Sequence, residues 1–214
     1  MIEAEVKIPV EKVVVEGNLI IPHNARGLVL FAHGSGSSRF SPRNQYVSKQ
    51  FVDARIGTLL FDLLTQEEEE IDEMTAEYRF NISLLADRLI GATEWIKKNR
   101  RTDRLSYGYF GASTGAAAAL IAAAKLSGDI AAVVSRGGRP DLAKDYLAKV
   151  AAPTLLLVGG LDTEVIELNK WAMNQMKAEK KLLIIPGATH LFEEPGKLED
   201  VAKVSVDWFV RYLN

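Results

Sequence analysis

The sequence contains no cysteine among its 214 residues. This absence excludes a disulfide framework, a thiolate metal site and a cysteine nucleophile. An excess of one charge is also lacking, because 26 basic residues stand against 28 acidic ones and leave a formal net charge of −2. A chain with this balance lacks the excess of positive charge that is typical of nucleic-acid-binding proteins. We therefore expect no nucleic-acid partner.

Long apolar runs are missing as well. The longest, residues 116–124, is about half of the ~20 residues that a membrane span needs. The first residues, Met1 to Lys7, contain no apolar signal-peptide core, so we expect a cytoplasmic protein without a membrane partner. The chain is 48% hydrophobic and can bury a core. Its length predicts a single domain over residues 1–214.

Short β-branched runs alternate along the chain with segments of helical period. This alternation predicts βαβ units and an α/β fold with a mostly parallel sheet of about eight strands and about six helices on both faces. Predicted strands cover residues 4–9, 12–21, 28–32, 58–61, 105–110, 131–135, 154–158 and 182–185. Predicted helices include residues 41–54, 82–98, 113–126, 163–176 and 196–213.

The segment from Gly111 to Gly115 carries the most specific chemical signal. It reads Gly-Ala-Ser-Thr-Gly between a predicted strand and an alanine-rich helix. This is the G-x-S-x-G nucleophile elbow in the strand-turn-helix context that the motif requires. The glycines allow a sharp turn, and the start of the helix points free N–H groups toward the reacting atoms. We predict that Ser113 is the nucleophile.

A serine nucleophile needs a histidine base that an acid orients. The elbow architecture has the chain order Ser, Asp or Glu, His, and of the three histidines only His190 follows the serine. We interpret His33 as a structural residue and His23 as a surface residue. Asp162, just past a predicted buried strand, is the expected acid. Asp141 is the alternative acid, although it has the sequence context of a helix start.

Acyl transfer also needs donors for the oxyanion. One donor is expected to be the backbone N–H of Thr114, the residue after the nucleophile. The other should come from the glycine-rich loop after the strand at residues 28–32. We assign the backbone N–H of Ser35 to this role, with Gly36 as the alternative.

These motifs together resemble the α/β-hydrolase superfamily, and within it the compact, lidless dienelactone-hydrolase-like branch. The closest segments are residues 33–44, 108–117, 135–141 and 187–196. They are similar to a bacterial subgroup of small hydrolases, some of them fused to phosphoribosyltransferase domains. Dienelactone hydrolase proper uses a cysteine nucleophile, which this chain lacks. The resemblance therefore implies serine esterase chemistry and leaves the natural substrate open.

The predicted activity is hydrolysis of small or short-chain carboxylic esters without a metal or an organic cofactor. A thioesterase, lactonase, amidase or acyltransferase on the same triad is the alternative, followed by a non-catalytic binding protein. The acidic stretch at residues 65–73 is interpreted as a solvated loop or the start of a helix, because it lacks the spacing of a cation loop. The sequence permits a monomer or a homodimer.

Several side chains are predicted to follow the strand ends that form the site. An arginine there could bind a substrate carboxylate through paired hydrogen bonds, and apolar side chains could line an acyl pocket. The candidate arginines are Arg39, Arg43, Arg136 and Arg139, and the candidate apolar residues are Phe40, Leu161 and Phe192. The short connection between residues 135 and 154 leaves no room for a large lid.

Overall fold

The computed structural model describes residues 1–213, so the last residue of the predicted domain, Asn214, lies outside the described residues. Eight strands form one sheet in the order β1-β2-β4-β3-β5-β6-β7-β8. Strands β3 to β8 are parallel to one another, whereas β2 pairs antiparallel with both β1 and β4. The predicted mostly parallel sheet is confirmed. The strands are β1 Ile2–Val10, β2 Val13–Ile21, β3 Gly27–Ala32, β4 Gly57–Phe61, β5 Ser106–Ala112, β6 Ile130–Arg136, β7 Thr154–Gly159 and β8 Lys180–Ile185.

Helices cover both faces of this sheet. They are α1 Pro42–Asp53, α2 Gln66–Thr75, α3 Ile82–Lys97, α4 Thr114–Lys125, α5 Lys144–Leu147, α6 Thr163–Gln175 and α7 Lys197–Tyr212, with a 3-10 helix at Pro140–Ala143. The acidic stretch forms α2, where Thr65 and Glu68 make a capping box that satisfies the first N–H groups. Within residues 1–213, no helix combines the length and the apolar character that crossing a membrane requires.

The core consists of two apolar layers, one on each face of the sheet. Strands β3, β4 and β7 are buried along their whole length, as continuous apolar runs in a parallel sheet require. Helices α3 and α4 pack on one face, and α1 and α7 pack on the other. On the second face, Phe51 of α1 packs edge-on against Phe110 of β5 and Phe209 of α7.

The topology brings five loops to one edge of the sheet. Strands β3, β5, β6, β7 and β8 are parallel neighbours, so their carboxyl ends meet there. Parallel α/β sheets bind ligands at this edge. Among the described residues, the connection from β6 to β7 contains only the 3-10 helix and the short α5. As predicted, no separate lid domain covers the edge within residues 1–213.

Candidate active site

The backbone turns sharply at Ser113, between the end of β5 and the start of α4. Its φ of 51° and ψ of −120° cost a non-glycine residue on the order of 1–3 kcal/mol. The turn is tightly packed, because a Cβ added to Gly111 would lie 2.5 Å from the Cα of Ala116. A Cβ on Gly115 would lie 2.2 Å from the carbonyl oxygen of Ala32. The two glycines therefore let strand and helix approach closely enough to hold the strained serine in place.

A short hydrogen bond joins the predicted base and the predicted acid. The Nδ1 atom of His190, after β8, lies 2.6 Å from Oδ2 of Asp162, after β7. Asp162 precedes α6, but its side chain does not cap the helix, so its carboxylate is available to orient the imidazole. The alternative acid, Asp141, is instead paired with Arg139 at 2.8 and 2.9 Å.

The loop after β6 connects Ser113 to the histidine. The Ser113 N–H donates to the carbonyl oxygen of Arg136 at 3.2 Å, and the Ser113 carbonyl accepts from the Arg139 N–H at 3.1 Å. Between these two residues, a Cβ on Gly137 would lie 3.5 Å from both Cε1 and Nδ1 of His190. Serine, histidine and aspartate therefore lie at the same edge of the sheet.

Within residues 1–213, no hydrogen bond joins the Ser113 hydroxyl to the His190 ring. Across residues 1–213, the hydrogen bond that the His190 ring makes is the one to Asp162. Catalytic hydrogen bonds are often long in the free enzyme and shorten when substrate binds. Proton transfer from Ser113 to His190 therefore stays a prediction.

The other two histidines have different surroundings. His33 is buried; its Nε2 accepts the N–H of Leu63 at 3.0 Å, and its Nδ1 lies 3.0 Å from the carbonyl oxygen of Gly34. Burial lowers the pKa of His33, and both ring nitrogens are bonded to loop backbone. The Nε2 atom of His23 lies 2.5 Å from the amino group of Met1, and this hydrogen bond is exposed to solvent.

The predicted oxyanion loop packs directly on Ser113. A Cβ on Gly34 would lie 3.1 Å from the Cβ of Ser113. The Ser35 N–H donates to the Thr114 hydroxyl at 3.1 Å, and the hydroxyl groups of the same two residues lie 3.0 Å apart. The first residue of α4 is Thr114, and the first N–H groups of a helix have no partner within the helix.

Comparison with known proteins identifies the family. The model of the dienelactone hydrolase family matches residues 19–213. The chain belongs to the dienelactone hydrolase family. A solved dienelactone hydrolase from Anabaena variabilis ATCC 29413 is 57% identical, with a TM-score of 0.98 over 100% of this chain and 99% of that chain. Membership of the dienelactone hydrolase family, together with this structure, supports a hydrolase.

Two curated proteins of Mycobacterium tuberculosis are also similar to this dienelactone hydrolase family member. Both are named "Putative phosphoribosyl transferase" and are 54% identical to it over 211 residues. The match covers 99% of this chain and 47% of each relative. The chain thus spans about half the length of the curated relatives it matches.

More distant solved structures share the fold of the dienelactone hydrolase family. Est1E from Butyrivibrio proteoclasticus is 16% identical, with a TM-score of 0.82 over 97% of this chain and 98% of that chain. The Pyrococcus furiosus esterase Pf2001 is 16% identical, with a TM-score of 0.78 over 100% of this chain and 92% of that chain. At this level of identity the likeness shows the α/β-hydrolase fold, as the sequence predicts.

The four candidate arginines differ in how their charges are compensated, and Arg139 is paired with Asp141. Arg39 pairs with Asp62 and, at 2.7 Å, with Glu16, so two carboxylates already neutralise it. Arg43 pairs with Glu193 at 2.6 Å. Arg136 is 7% exposed, and its Nη1 has no hydrogen-bond partner in the described structure.

The candidate apolar residues also differ in exposure. Phe40 is 56% exposed, and the Arg39 guanidinium lies 4.4 Å from the centre of its ring. Leu161, next to Asp162, is 62% exposed, whereas Phe192 is buried in the layer of α1 and α7. Of these three apolar residues, Phe40 and Leu161 are therefore accessible to a ligand, and Phe192 is not.

Two features of the site were missed by the sequence analysis. One is Gly137, whose φ of +52° brings the loop after β6 against His190. The other is the Thr114 hydroxyl, which holds the Ser35 N–H. The position of Gly137 directly after a predicted strand could have indicated its role. No sequence signal indicated the bond between the Thr114 hydroxyl and Ser35. Within residues 1–213, no three His, Asp or Glu side chains are grouped so that they could hold a metal ion.

Proposed function

We propose that this chain is a serine hydrolase that cleaves small carboxylic esters through an acyl-enzyme. The observation that carries the proposal is the 2.6 Å bond between His190 and Asp162, beside the strained turn at Ser113. A serine on such a turn, a histidine and a carboxylate bonded to that histidine are the parts that acyl transfer requires. Family membership supports the hydrolase class independently.

The proposed reaction has two halves. His190 takes the proton of the Ser113 hydroxyl as the oxygen attacks the ester carbonyl, and Asp162 stabilises the imidazolium that forms. The imidazolium then protonates the leaving alcohol, which departs and leaves an acyl group on Ser113. In the second half, His190 activates a water molecule in the same way, and the acid product leaves. The proton of Ser113 leaves with the alcohol, and His190 passes a proton from the water to the Ser113 oxygen as the acyl bond breaks, so the enzyme is regenerated without consuming a cofactor.

The oxyanion donors in this proposal are the backbone N–H groups of Thr114 and Ser35. The Ser35 N–H is already directed toward α4, where the Thr114 hydroxyl accepts it. We propose that the oxyanion takes over this hydrogen bond when the tetrahedral intermediate forms. Gly36, the alternative donor, has a φ of +65° and open space around it. Phe40 and Leu161 are proposed to contact the acyl chain.

The acyl-enzyme can be tested by rapid mixing with p-nitrophenyl acetate and p-nitrophenyl butyrate. We expect a burst of p-nitrophenolate that approaches one equivalent of enzyme, followed by a slower steady state, because covalent acyl transfer separates leaving-group release from deacylation. Oxygen esters, thioesters, lactones and anilides with a common acyl group then distinguish the esterase from its alternatives. Absence of hydrolysis in all four classes, by protein that is folded, would contradict the proposal.

Replacing Thr114 by valine is expected to lower kcat by about ten- to a hundredfold. Valine keeps the side-chain shape but removes both bonds to Ser35, and a displaced oxyanion donor costs up to about 10²- to 10³-fold in rate. Thr114→Ser keeps the hydroxyl and serves as the matched control, expected within about threefold of wild type. Steady-state kinetics on p-nitrophenyl butyrate measures both variants. A faster Thr114→Val enzyme would instead show that the hydroxyl blocks the oxyanion hole.

A further inference from the structure

Asn169 is a fully buried polar side chain in the middle of α6. Its Nδ2 atom donates to two carbonyl oxygens, that of Val165 in the same helix at 2.8 Å and that of Gly138 in the loop after β6 at 3.0 Å. Because both partners are acceptors, the amide nitrogen and not the amide oxygen faces them. The side chain of Asn169 thus links α6 to the loop after β6.

The amide oxygen of Asn169 makes this residue a poor choice for stability alone. Oδ1 is buried and, among residues 1–213, has no hydrogen-bond partner. A buried polar atom without a partner lowers the stability of the folded protein, and a leucine at this position would bury no polar atom. The asparagine is therefore explained by what its Nδ2 atom holds in place.

The residue that Asn169 holds, Gly138, lies in a tightly packed part of the loop. A Cβ on Gly138 would lie 2.0 Å from Oγ of Ser135 and 2.7 Å from Cβ of Ala116. Ala116 is in the first turn of α4, the helix that begins directly after Ser113. The bond from Asn169 therefore fixes the loop after β6 where it contacts the start of α4.

The same loop contacts both the proposed nucleophile and the proposed base. The Ser113 N–H donates to the carbonyl oxygen of Arg136, and the Arg139 N–H donates to the carbonyl oxygen of Ser113. Between these two residues, a Cβ on Gly137 would lie 3.1 Å from the carbonyl oxygen of His190 and 3.5 Å from its Nδ1 atom. A shift of the loop would therefore move Ser113 and His190 relative to each other.

We infer that Asn169 is a positioning residue, which sets the separation of Ser113 and His190 by holding the loop after β6. This inference rests on the proposed ester hydrolysis and adds a residue that acts without touching the ester. Helix α6 also begins directly after Asp162, the proposed acid. One helix therefore carries the acid at its start and the anchor of the loop at its middle.

Replacing Asn169 by leucine removes both hydrogen bonds of Nδ2 and keeps a side chain of similar length. With p-nitrophenyl butyrate we expect kcat to fall by about ten- to a hundredfold, because a displacement of about 1 Å between reacting groups is enough for such a loss. KM should stay within about twofold of wild type. The rate at which a fluorophosphonate labels Ser113 should fall by the same factor as kcat.

Thr93→Val is the matched control for the loss of buried hydrogen bonds. Thr93 is fully buried in α3, and its hydroxyl bonds to the carbonyl oxygen of Leu89 at 2.8 Å and to the hydroxyl of Tyr109 at 2.7 Å. Valine removes both bonds, so we expect a lower unfolding temperature, as for Asn169→Leu. Its kcat should stay within about threefold of wild type. The comparison separates a loss of rate from a loss of stability.

Asn169→Asp tests the donor without a change of shape. A carboxylate at this position cannot donate to the carbonyl oxygens of Val165 and Gly138, whereas a protonated acid can donate to one of them. Burial raises the pKa of such a carboxyl group, so we expect its kcat relative to wild type to rise at least about threefold from about pH 8 to about pH 6. The same ratio for Asn169→Leu should not depend on pH. Asn169→Asp also serves if Asn169→Leu does not fold.

The proton on Nδ1 of His190 gives a readout that needs no turnover. In wild type we expect a downfield proton NMR resonance from its bond to Asp162. In Asn169→Leu this resonance should broaden through exchange with water, because Gly137 no longer covers the ring. A kcat within about threefold of wild type, or a resonance as sharp as in wild type, would overturn the positioning role and leave the ester hydrolysis standing. A wild type that hydrolyses no ester would count against the proposed function, and the resonance would then decide the inference.

Discussion

Replacing Ser113 by alanine is expected to reduce kcat for p-nitrophenyl butyrate by about 10⁶-fold, the scale at which removal of a serine nucleophile acts. The variant lacks the only atom that can carry the acyl group in the proposed mechanism. Because the oxyanion donors and the substrate contacts stay in place, a residual rate of about 10³- to 10⁴-fold over the uncatalysed reaction is compatible with the proposal. Steady-state kinetics at high enzyme concentration measures the loss.

The control for this prediction is Ser37→Ala. Ser37 lies in the loop after β3 and bonds through its backbone N–H to the carbonyl of Gly34, a contact that alanine retains. We expect its kcat to stay within about threefold of wild type. Ser113→Ala should unfold at nearly the same temperature as wild type, because alanine and serine bear similar strain at a φ of 51°. A folded Ser113→Ala enzyme that retains more than about 1% activity would refute the assignment of the nucleophile.

The second large effect is expected for Asp162→Asn, which should lose about 10⁴-fold in kcat, as the equivalent change does in a serine protease triad. The carboxylate accepts the proton on Nδ1 of His190 and thereby leaves Nε2 free to take the serine proton. An asparagine amide can donate to Nδ1 instead, which places the imidazole proton on Nε2 and removes the base. KM should change little, because the carboxylate faces the histidine.

Asp141→Asn is the matched control for the acid. Asp141 lies in a neighbouring loop at the same edge of the sheet, but its two oxygens are paired with Arg139. We expect Asp141→Asn to keep kcat within a few-fold of wild type and to have a slightly lower unfolding temperature. If Asp141→Asn loses more activity than Asp162→Asn, the alternative acid is the correct one.

The fold and the elbow could be predicted because their signals are local. Strands such as β3 and β7 are continuous apolar runs, which only a strand covered on both faces tolerates. The elbow at Ser113 needs a glycine on either side, and Gly111 and Gly115 lie within five positions. Neither inference required knowledge of which distant segments meet.

The partners of charged side chains could not be predicted, because they depend on contacts between distant segments. In sequence, Asp162 and Asp141 both precede helices, and only the bonds to His190 and to Arg139 separate their roles. The candidate arginines could not be told apart in the sequence either. In the structure, Asp62 and Glu16 neutralise Arg39, whereas Nη1 of Arg136 has no hydrogen-bond partner in the described residues. Tertiary contacts therefore decide which charges are available to a ligand.

The most direct test of the central claim is the position of a fluorophosphonate adduct. Wild type, Ser113→Ala and His190→Ala are treated side by side with a fluorophosphonate probe, digested, and mapped by tandem mass spectrometry. We predict one adduct on wild type, located on the Ser113 hydroxyl, and none on either variant. An adduct on another residue, or an unlabelled wild type that is folded, would contradict the proposal that Ser113 is a nucleophile activated by His190.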